Sequence, residues 1–177
     1  MLKIEIGKDN PILRRALKPV ADPKARELRQ LIREMRKTMR GANGIGLAAN
    51  QVGKDLRLFV IELPTAATTR TKKKVFYALI NPEVIKTSAE KVLREEGCLS
   101  LPGLWGVVPR FTKVTVKAAT PTSKAIKLKA TGLLAHVLQH ELGHLEGILF
   151  IDKAKEVMEI SEAEKIRRAH ERNIHED

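Results

Sequence analysis

The sequence predicts an α+β fold, in which short antiparallel strands surround a central helix and a further helix lies toward each end of the chain. Three β-prone segments, residues 56–63, 75–80 and 113–118, are separated by turns that contain proline and glycine. An apolar stretch from about 131 to 145 has helical character. At 177 residues the chain suits one domain, residues 1–177, with enough length to build a sizeable core.

The N-terminal helix is predicted from a start signal and a spacing. Asp22 and Pro23 form a helix cap followed by a first-turn proline. Apolar residues then recur at steps of three and four positions, at Leu28, Leu31, Ile32, Met35 and Met39. The pattern indicates an amphipathic helix that covers the core and ends in the segment from Gly41 to Gly46.

The central helix is expected from about Thr131 to Leu145, with Gly147 near its C-terminal cap. Farther along, the run that begins at Ser161 has the spacing of a capping box and opens a third, polar helix. Residues 161–177 are therefore predicted to form a C-terminal helical tail.

The central helix carries a His-Glu-x-x-His motif at His140, Glu141 and His144. Residues four apart lie on one face of a helix, so the two imidazoles can bind the same metal ion. Glu141 lies beside them, where its carboxylate can reach a water molecule at the metal. The motif is typical of metal-dependent hydrolases, although a buried glutamate between two histidines could be a salt-bridge partner only.

A catalytic site of this type uses three protein ligands and leaves a fourth position to water, so one ligand must come from elsewhere. The motif with a third histidine is excluded because Phe150 occupies that position. Cys98 is one candidate, and as the only cysteine it cannot form an internal disulfide. By composition alone it would be an inert buried thiol. A glutamate on a following helix could serve instead, and the candidates are Glu156, Glu159, Glu162 and Glu164.

Three motifs resemble those of the peptide deformylase family and occur in the family's order. They are Gly44-Ile45-Gly46-Leu47-Ala48-Ala49-Asn50-Gln51, Glu96-Gly97-Cys98-Leu99-Ser100 and Gln139-His140-Glu141-x-x-His144-Leu145-x-Gly147. Further similarity, including Ile80-Asn81-Pro82-Glu83 and Val108-Pro109-Arg110, runs from about Pro11 to Asp152. The chain thus resembles the family over most of its length, and the predicted tail resembles the bacterial class with a helical C-terminus.

The resemblance implies a metal-dependent hydrolase that removes the N-formyl group from the N-terminal formyl-methionine of newly synthesised polypeptides and releases formate. It makes Cys98, His140 and His144 the metal ligands and Glu141 the general acid and base. It also implies one divalent metal ion, Fe²⁺ in the cell, with Zn²⁺, Ni²⁺ or Co²⁺ possible in isolated protein. The ligand set by itself suits all four metals.

The resemblance also assigns residues around the metal. The Gln51 amide and the backbone N–H of Leu99 would stabilise the oxyanion, although Gln51 could instead cap a turn or helix. Backbone at Ile45, Gly46 and Gly97 would hydrogen-bond an extended N-formyl-methionyl peptide. Gly44 and Gly46 lack a Cβ and so let backbone approach a ligand, unless they form an ordinary turn. The candidates for the methionine pocket are Ile45, Leu133 and His136.

Two positions depart from the expected pattern. His136 lies one helical turn before His140, and a rise of about 6 Å displaces it along the axis. We therefore predict that it lines the pocket or packs, with a metal or substrate contact as the alternative. Gly143 stands where the family usually has aspartate; it costs about 1 kcal/mol relative to alanine in a helix and removes a carboxylate that could support a ligand.

The formal net charge of +12 favours an acidic partner, for which ribosomal RNA is the candidate. The tail at 161–177 mixes basic and acidic residues, so a solvated helix face is the alternative to ribosome binding. The longest apolar runs fall short of a membrane span, and the first residues lack the apolar core of a signal peptide. We expect a cytoplasmic protein without a membrane partner.

Two other function classes stay open. The first is a zinc endopeptidase with a downstream glutamate as third ligand, which predicts that Cys98 is dispensable. The second is a non-catalytic basic RNA-binding domain, which predicts no metal dependence. One Trp and one Tyr make an aromatic stacking platform for single-stranded nucleic acid a poor interpretation.

Overall fold

The computed structural model describes residues 1–64 and 74–159, together with residue 164. Within these ranges the chain forms two α-helices and two antiparallel sheets, which confirms the predicted α+β class. The elements in chain order are α1 (Arg26–Gly41), β1 (Gly46–Ala48), β2 (Leu58–Pro64), β3 (Lys74–Thr87), β4 (Lys91–Cys98), β5 (Leu101–Phe111), β6 (Lys113–Ala119), β7 (Ala125–Thr131), α2 (Gly132–Leu145) and β8 (Glu156–Glu159). The helical tail predicted for 161–177 lies outside the described residues, apart from helical Glu164.

Helix α1 begins three residues later than the start signal predicts. The Asp22 carboxylate accepts the backbone N–H of Lys24 at 2.8 Å, and the Asp22 carbonyl accepts that of Ala25. These bonds close a turn before the helix, so Asp22 caps that turn rather than the helix. The predicted apolar face is confirmed, since Leu28, Ile32, Met35 and Met39 are buried and Leu31 is half-buried.

The larger sheet has the order β1-β2-β3-β6-β7 and lies between the two helices. Along β2, side chains at 58 and 60 pack with α1, and those at 59, 61 and 63 pack with α2. Because both faces of this strand are covered, its sequence is a nearly continuous apolar run. Strand β1 stands at one end of this order, beside α2.

The smaller sheet has the order β4-β5-β8 and supplies the other wall of the molecule around α2. Strands β4 and β5 pair from Lys91 opposite Phe111 to Gly97 opposite Trp105, after which the register shifts and Cys98 pairs with Leu101. The shift lets the chain reverse through Leu99 and Ser100. Cys98 is thereby fixed at the very end of β4.

The central helix matches its prediction closely. It runs from Gly132 to Leu145, and Gly147 follows in the left-handed region with φ +69°. A Cβ at Gly147 would lie 2.5 Å from the carbonyl oxygen of Arg14, so close approach of backbone also requires glycine here. No helix in the described ranges is long and apolar enough to cross a membrane.

Several strands were not predicted. Strand β5 contains two prolines and two glycines, which resemble turn residues, yet it pairs with β4 on one side and β8 on the other. Strand β3 continues past Pro82 through an irregularity at Asn81, which has φ +50°. The Asn81 amide exchanges two hydrogen bonds with the Val20 backbone, and these hold the bulge in place.

Glu62 of β2 joins the sheet to α1. Its buried carboxylate accepts hydrogen bonds from Arg36 and Arg40, with 2.5 Å between Arg40 Nε and Glu62 Oε2. The hydrogen bond from Arg40 lowers the pKa of Glu62 to about 2, with help from Arg36 and against the opposing effect of desolvation. This link fixes α1 over β1 and β2.

We predict that Glu62→Gln lowers the free energy of unfolding at pH 7 by on the order of 2 kcal/mol. Because the folded-state pKa is depressed, this stabilisation is present above pH 4.5 and is lost as the pH falls toward 2. In urea denaturation, the difference in free energy of unfolding between wild type and variant should be smaller at pH 3 than at pH 7. The exposed pair of Glu83 with Lys117 is the control, since Glu83→Gln should change stability by less than about 1 kcal/mol at either pH.

Candidate metal centre

Three side chains that can bind a metal converge where β4 ends beside α2. One ligand atom from each of Cys98, His140 and His144 lies within 4.8 Å of the others. The Cys98 Sγ and His144 Nε2 atoms are 3.3 Å apart. Two bonds of about 2.3 and 2.05 Å at a tetrahedral angle would separate these atoms by about 3.6 Å, so the arrangement fits one ion.

A buried carboxylate orients one of the imidazoles. Glu96 Oε2 is 2.8 Å from Nδ1 of His140. An ionised carboxylate only accepts hydrogen bonds, so Nδ1 carries the proton and Nε2 is free to bind a metal. Glu96 thus selects the tautomer that a ligand needs.

The same carboxylate holds two further donors. Arg110 binds it through two nitrogens, at 2.5 and 2.8 Å, and His136 Nε2 donates to Oε1 at 2.9 Å. Desolvation opposes ionisation of Glu96, but the hydrogen bonds from Arg110, His136 and His140 outweigh it and lower the pKa of Glu96 well below its usual range. The carboxylate therefore stays charged and keeps all three donors in place.

Burial sets the protonation of the two other candidate ligands. Desolvation, with a smaller contribution from the nearby Glu141 charge, raises the pKa of the Cys98 thiol to about 12. Desolvation also lowers the pKa of His144 well below its usual range, which keeps this imidazole neutral, the form that binds metals. A metal ion bound by Cys98 would displace the thiol proton.

Glu141 is buried next to this cluster, and its Oε2 has no hydrogen-bond partner among the described residues. Desolvation raises the pKa of Glu141 well above its usual range, and the Glu96 charge adds to this. A Cβ on Gly46 would collide with Glu141 Oε1. The glycine in β1 therefore makes room for this carboxyl group.

Gln51 has the capping role that the sequence offered as an alternative, and its amide also reaches the metal cluster. Its Oε1 accepts the backbone N–H of Ala48 at 2.8 Å, which is the capping role. Its Nε2 points the other way, 3.4 Å from Cys98 Sγ and 3.2 Å from Ser100 Oγ. The backbone bond thus directs the amide N–H group toward the metal cluster.

The glycines and Leu99 pack tightly around this site. A Cβ on Gly44 would lie 2.8 Å from the Leu99 side chain. A Cβ on Gly97 would lie 3.1 Å from the Trp105 ring. Leu99 occupies the turn between Cys98 and Ser100, so its backbone is adjacent to the cluster in sequence. Close packing is therefore sufficient reason for glycine at positions 44 and 97, independently of any contact with substrate.

The three candidates for the methionine pocket differ in their surroundings. Ile45 and Leu133 are 40% and 38% exposed. His136 instead lines a cavity of about 100 Å³ together with Arg94 and Arg110. His136 is not among the three clustered ligand residues; its ring bonds to Glu96, so it packs against the site as expected.

Of the alternative third ligands, those within the described residues are not brought to the histidines. Glu156 and Glu159 lie exposed on β8, a strand rather than the following helix that they were expected to occupy. Glu162 falls outside the described residues, and Glu164 belongs to no metal-binding cluster of the described part of the chain. Phe150, which replaces a third histidine, stacks on the His140 ring with 6.3 Å between centroids.

Gly143 has a packing role that the sequence did not reveal. A Cβ at this position would lie 3.0 Å from the carbonyl oxygen of Ile148. The Gly143 carbonyl accepts the N–H groups of Glu146 and Ile148 at 3.0 and 2.9 Å. Glycine thus permits the chain to fold back closely after α2.

Sequence reasoning also missed Arg110 and the full role of Glu96. Both lie in segments that carried the resemblance, but nothing in the spacing of positions 96, 110, 136 and 140 indicates one shared carboxylate. Asn50 was missed as well; its amide donates to the His144 carbonyl at 2.8 Å and links the chain after β1 to α2.

Comparison with known proteins finds a matching family model and relatives of similar sequence. Residues 2–159 match the family model described as polypeptide deformylase. A peptide deformylase of Chloroflexus aggregans is 41% identical, over 96% of this chain and 94% of its own length. One of Natranaerobius thermophilus is 45% identical, over 88% and 94%.

Solved structures of peptide deformylases have the same fold as this chain. A peptide deformylase from Synechococcus elongatus in complex with actinonin has a TM-score of 0.79 at 38% identity, covering 88% of this chain and 79% of that one. The peptide deformylase of Thermotoga maritima has a TM-score of 0.78 at 34% identity, covering 88% and 99%. A Met-Ala-Ser-bound class I type b enzyme from Acinetobacter baumannii has 0.78 at 33%, covering 86% and 98%.

We predict that Glu96→Gln weakens metal binding by about 10- to 100-fold, because a neutral amide cannot hold the His140 tautomer and Arg110 as a carboxylate does. The measurement is a titration of Zn²⁺ against a competing chelator, with the folded state checked by circular dichroism. The double variant Glu156→Gln/Glu159→Gln is the matched control and should bind one ion with wild-type affinity. Loss of binding in this control would restore a glutamate as the third ligand.

Proposed function

The chain belongs to the polypeptide deformylase family, and we propose that Cys98, His140 and His144 hold the metal ion of its active site. The family is metal-dependent, and its members hydrolyse the N-formyl group of nascent polypeptides. The chain is accordingly an enzyme of this reaction. The observation that carries the ligand assignment is the convergence of one thiol and two imidazoles within 4.8 Å.

The assignment of the metal rests on the donor set. One thiolate with two imidazoles suits Fe²⁺, Zn²⁺, Ni²⁺ and Co²⁺. We propose Fe²⁺ as the ion in the cell. When bound, the ion supplies Lewis-acid chemistry that makes water nucleophilic near neutral pH.

Glu141 is the proposed general base and acid. It takes a proton from the attacking water as the new bond to the formyl carbon forms, and it later gives this proton to the amide nitrogen as the C–N bond breaks. Formate and a free amino group result. The burial that raises the pKa of Glu141 supports this role, because a stronger base can both accept the proton and retain it until the nitrogen leaves.

The oxyanion that forms on the formyl oxygen needs hydrogen-bond donors. We assign this role to the Gln51 amide and the backbone N–H of Leu99. Gln51 is buried, and the bond from Ala48 N–H to its Oε1 leaves the N–H groups directed at the site. Such a donor is oriented before the substrate arrives, so little reorganisation is needed during the reaction.

The proposed substrate is an extended N-formyl-methionyl peptide that binds along β1. Strand β1 ends the five-stranded order, so a peptide strand could add to its other edge at Ile45 and Gly46. Backbone at Gly97 of β4 is a further proposed contact of this peptide. Ile45 and Leu133 are exposed apolar residues and are the proposed contacts of the methionine side chain. Gly44 and His136 complete the proposed substrate contacts.

We further propose that residues 1–177 act as one catalytic domain in the cytoplasm. Ribosome association belongs to the same proposal, because the substrate is a nascent chain and the protein carries a net charge of +12.

The primary test is anaerobic release of formate from N-formyl-Met-Ala-Ser by Fe²⁺-loaded protein. We expect turnover that a chelator abolishes and no cleavage of internal peptide bonds. Folded, metal-loaded protein that cleaves internal peptide bonds without releasing formate would favour the endopeptidase alternative. Folded protein that binds no metal and hydrolyses neither bond would favour the RNA-binding domain.

We predict that Glu141→Gln lowers kcat for formate release by about 100- to 10,000-fold while one metal ion stays bound, because the amide cannot transfer the proton. Metal content and turnover should be measured on the same preparation. Glu146→Gln, at the residue that follows the same helix, is the control: Glu146 is exposed and pairs with Arg57, so turnover should stay near wild type. Wild-type turnover by Glu141→Gln would assign the proton transfer to another group.

A further inference from the structure

The outward side of the β6–β7 hairpin and the adjoining part of β3 carries five exposed lysines, which we call the lysine face. They are Lys86, Lys113, Lys117, Lys127 and Lys129. The strand register brings them together: Lys117 pairs with Lys127, and Thr115 pairs with Lys129 on one side and Lys86 on the other. Residues that pair across antiparallel strands point to the same side of the sheet.

Strand alternation explains why these lysines are exposed. The intervening residues Val114, Val116 and Leu128 point to the opposite side of the sheet and pack in the core with α2. Helix α1 packs on β1 and β2, at the other end of the sheet. The lysine face is therefore solvent-accessible, and the sheet separates it from the helix that carries the metal site.

Among the described residues, negative charge does not balance this face. Glu83 is the acidic residue that the register places there, and it pairs with Lys117 at 2.8 Å. The other four lysines make no ion pair within the described residues. Lys117 and Lys127 stand directly opposite each other, an arrangement of like charges that destabilises a sheet.

Protection of a sheet edge accounts for only part of this pattern. Lysines on an edge strand hinder unwanted strand pairing, and β7 ends the five-stranded order. Lys113 and Lys117, however, lie on β6, which is paired with β3 on one side and β7 on the other. Lys86 lies on the part of β3 beyond its pairing with β2, so it also borders an edge. Edge protection therefore leaves the two lysines of β6 unexplained.

We propose that the lysine face docks on the phosphate backbone of double-helical ribosomal RNA, a proposal that rests on the proposed action on nascent chains. Lysines two positions apart on a strand are about 7 Å apart, and neighbouring strands are about 4.8 Å apart, which gives a flat grid of point charges. Flexible ammonium groups suit phosphates, which are positioning contacts and carry no base sequence.

The remaining residues of the face argue against stacking of single-stranded bases. On β6 and β7 they are Thr115, Ala125 and Thr131, which are small and include no aromatic ring. The large apolar side chains of the adjoining part of β3 are Val84 and Ile85, which are 41% and 42% exposed. The five lysines outnumber them, which favours a phosphate backbone over insertion into a bilayer. Helical RNA recognised through shape and phosphates fits such a surface. Docking there would leave the metal site, behind the sheet, open to a nascent chain.

The test compares two triple variants of the full chain for binding to purified bacterial ribosomes across a range of salt concentrations. The first is Lys113→Gln/Lys127→Gln/Lys129→Gln on the face. The matched control is Lys3→Gln/Lys24→Gln/Lys37→Gln, which removes the same charge from exposed positions elsewhere. We expect the slope of log K against log salt to fall by about 3 units in the face variant and to stay at the wild-type value in the control.

Equal losses in the two variants would mean that net charge alone drives binding, and wild-type binding by the face variant would mean that another surface docks. Either result overturns the proposal, as does a wild-type protein that binds phosphatidylserine-containing vesicles but not ribosomes. Formate release from N-formyl-Met-Ala-Ser should be unchanged in both variants. If the wild-type protein released no formate, the proposed function would be overturned. The comparison of ribosome binding by the two triple variants would still decide the docking surface.

Discussion

The buried carboxylate of Glu96 is the interaction on which the site depends. It joins β4, which carries Glu96 itself, to β5 through Arg110 and to α2 through His136 and His140. A carboxylate taken out of water is stable only when its oxygens are fully hydrogen-bonded, and here three positively polarised donors meet that need. The same bonds that stabilise the charge therefore fix the helix relative to Cys98, two residues farther along β4.

Close backbone approach is the second constraint. The metal-binding helix lies against β1, and Gly46 stands at this contact, where it leaves space for the Glu141 carboxyl group. Within the smaller sheet, Gly97 of β4 leaves space for the Trp105 ring of β5. At the end of the helix, Gly143 and Gly147 let the chain return over Ile148 and Arg14. A methyl group at any of these positions would push apart elements that must touch for the three ligands to converge.

The two faces of the large sheet serve different purposes along its length. At β1 and β2 both faces are covered, one by α1 with its Glu62 link and the other by α2. At β6 and β7 the described residues cover only the α2 side, and the other side carries the lysine face. In this part of the chain, one sheet thus presents the metal helix on one side and a positive surface on the other. This separation allows catalysis and docking to proceed without competing for space.

The sequence by itself determined the features that depend on neighbours along the chain. The four-residue spacing of His140 and His144 needs only helical geometry, and the three motifs around Gly46, Cys98 and His140 were sufficient to indicate the family and the α+β class. The N-terminal helix was recognised from its apolar period, although its start was misplaced because Asp22 caps a turn instead.

Only the tertiary structure decided what depends on distant residues meeting. It placed Cys98, which the resemblance had pointed to, beside the two histidines and left Glu156 and Glu159 apart from them; it gave Glu96 its three partners; and it aligned lysines of three strands on one face. None of these carries a local signal, since a hydrogen bond or a strand register acts between residues that are far apart in sequence. Packing of α2 between two sheets sets those distances.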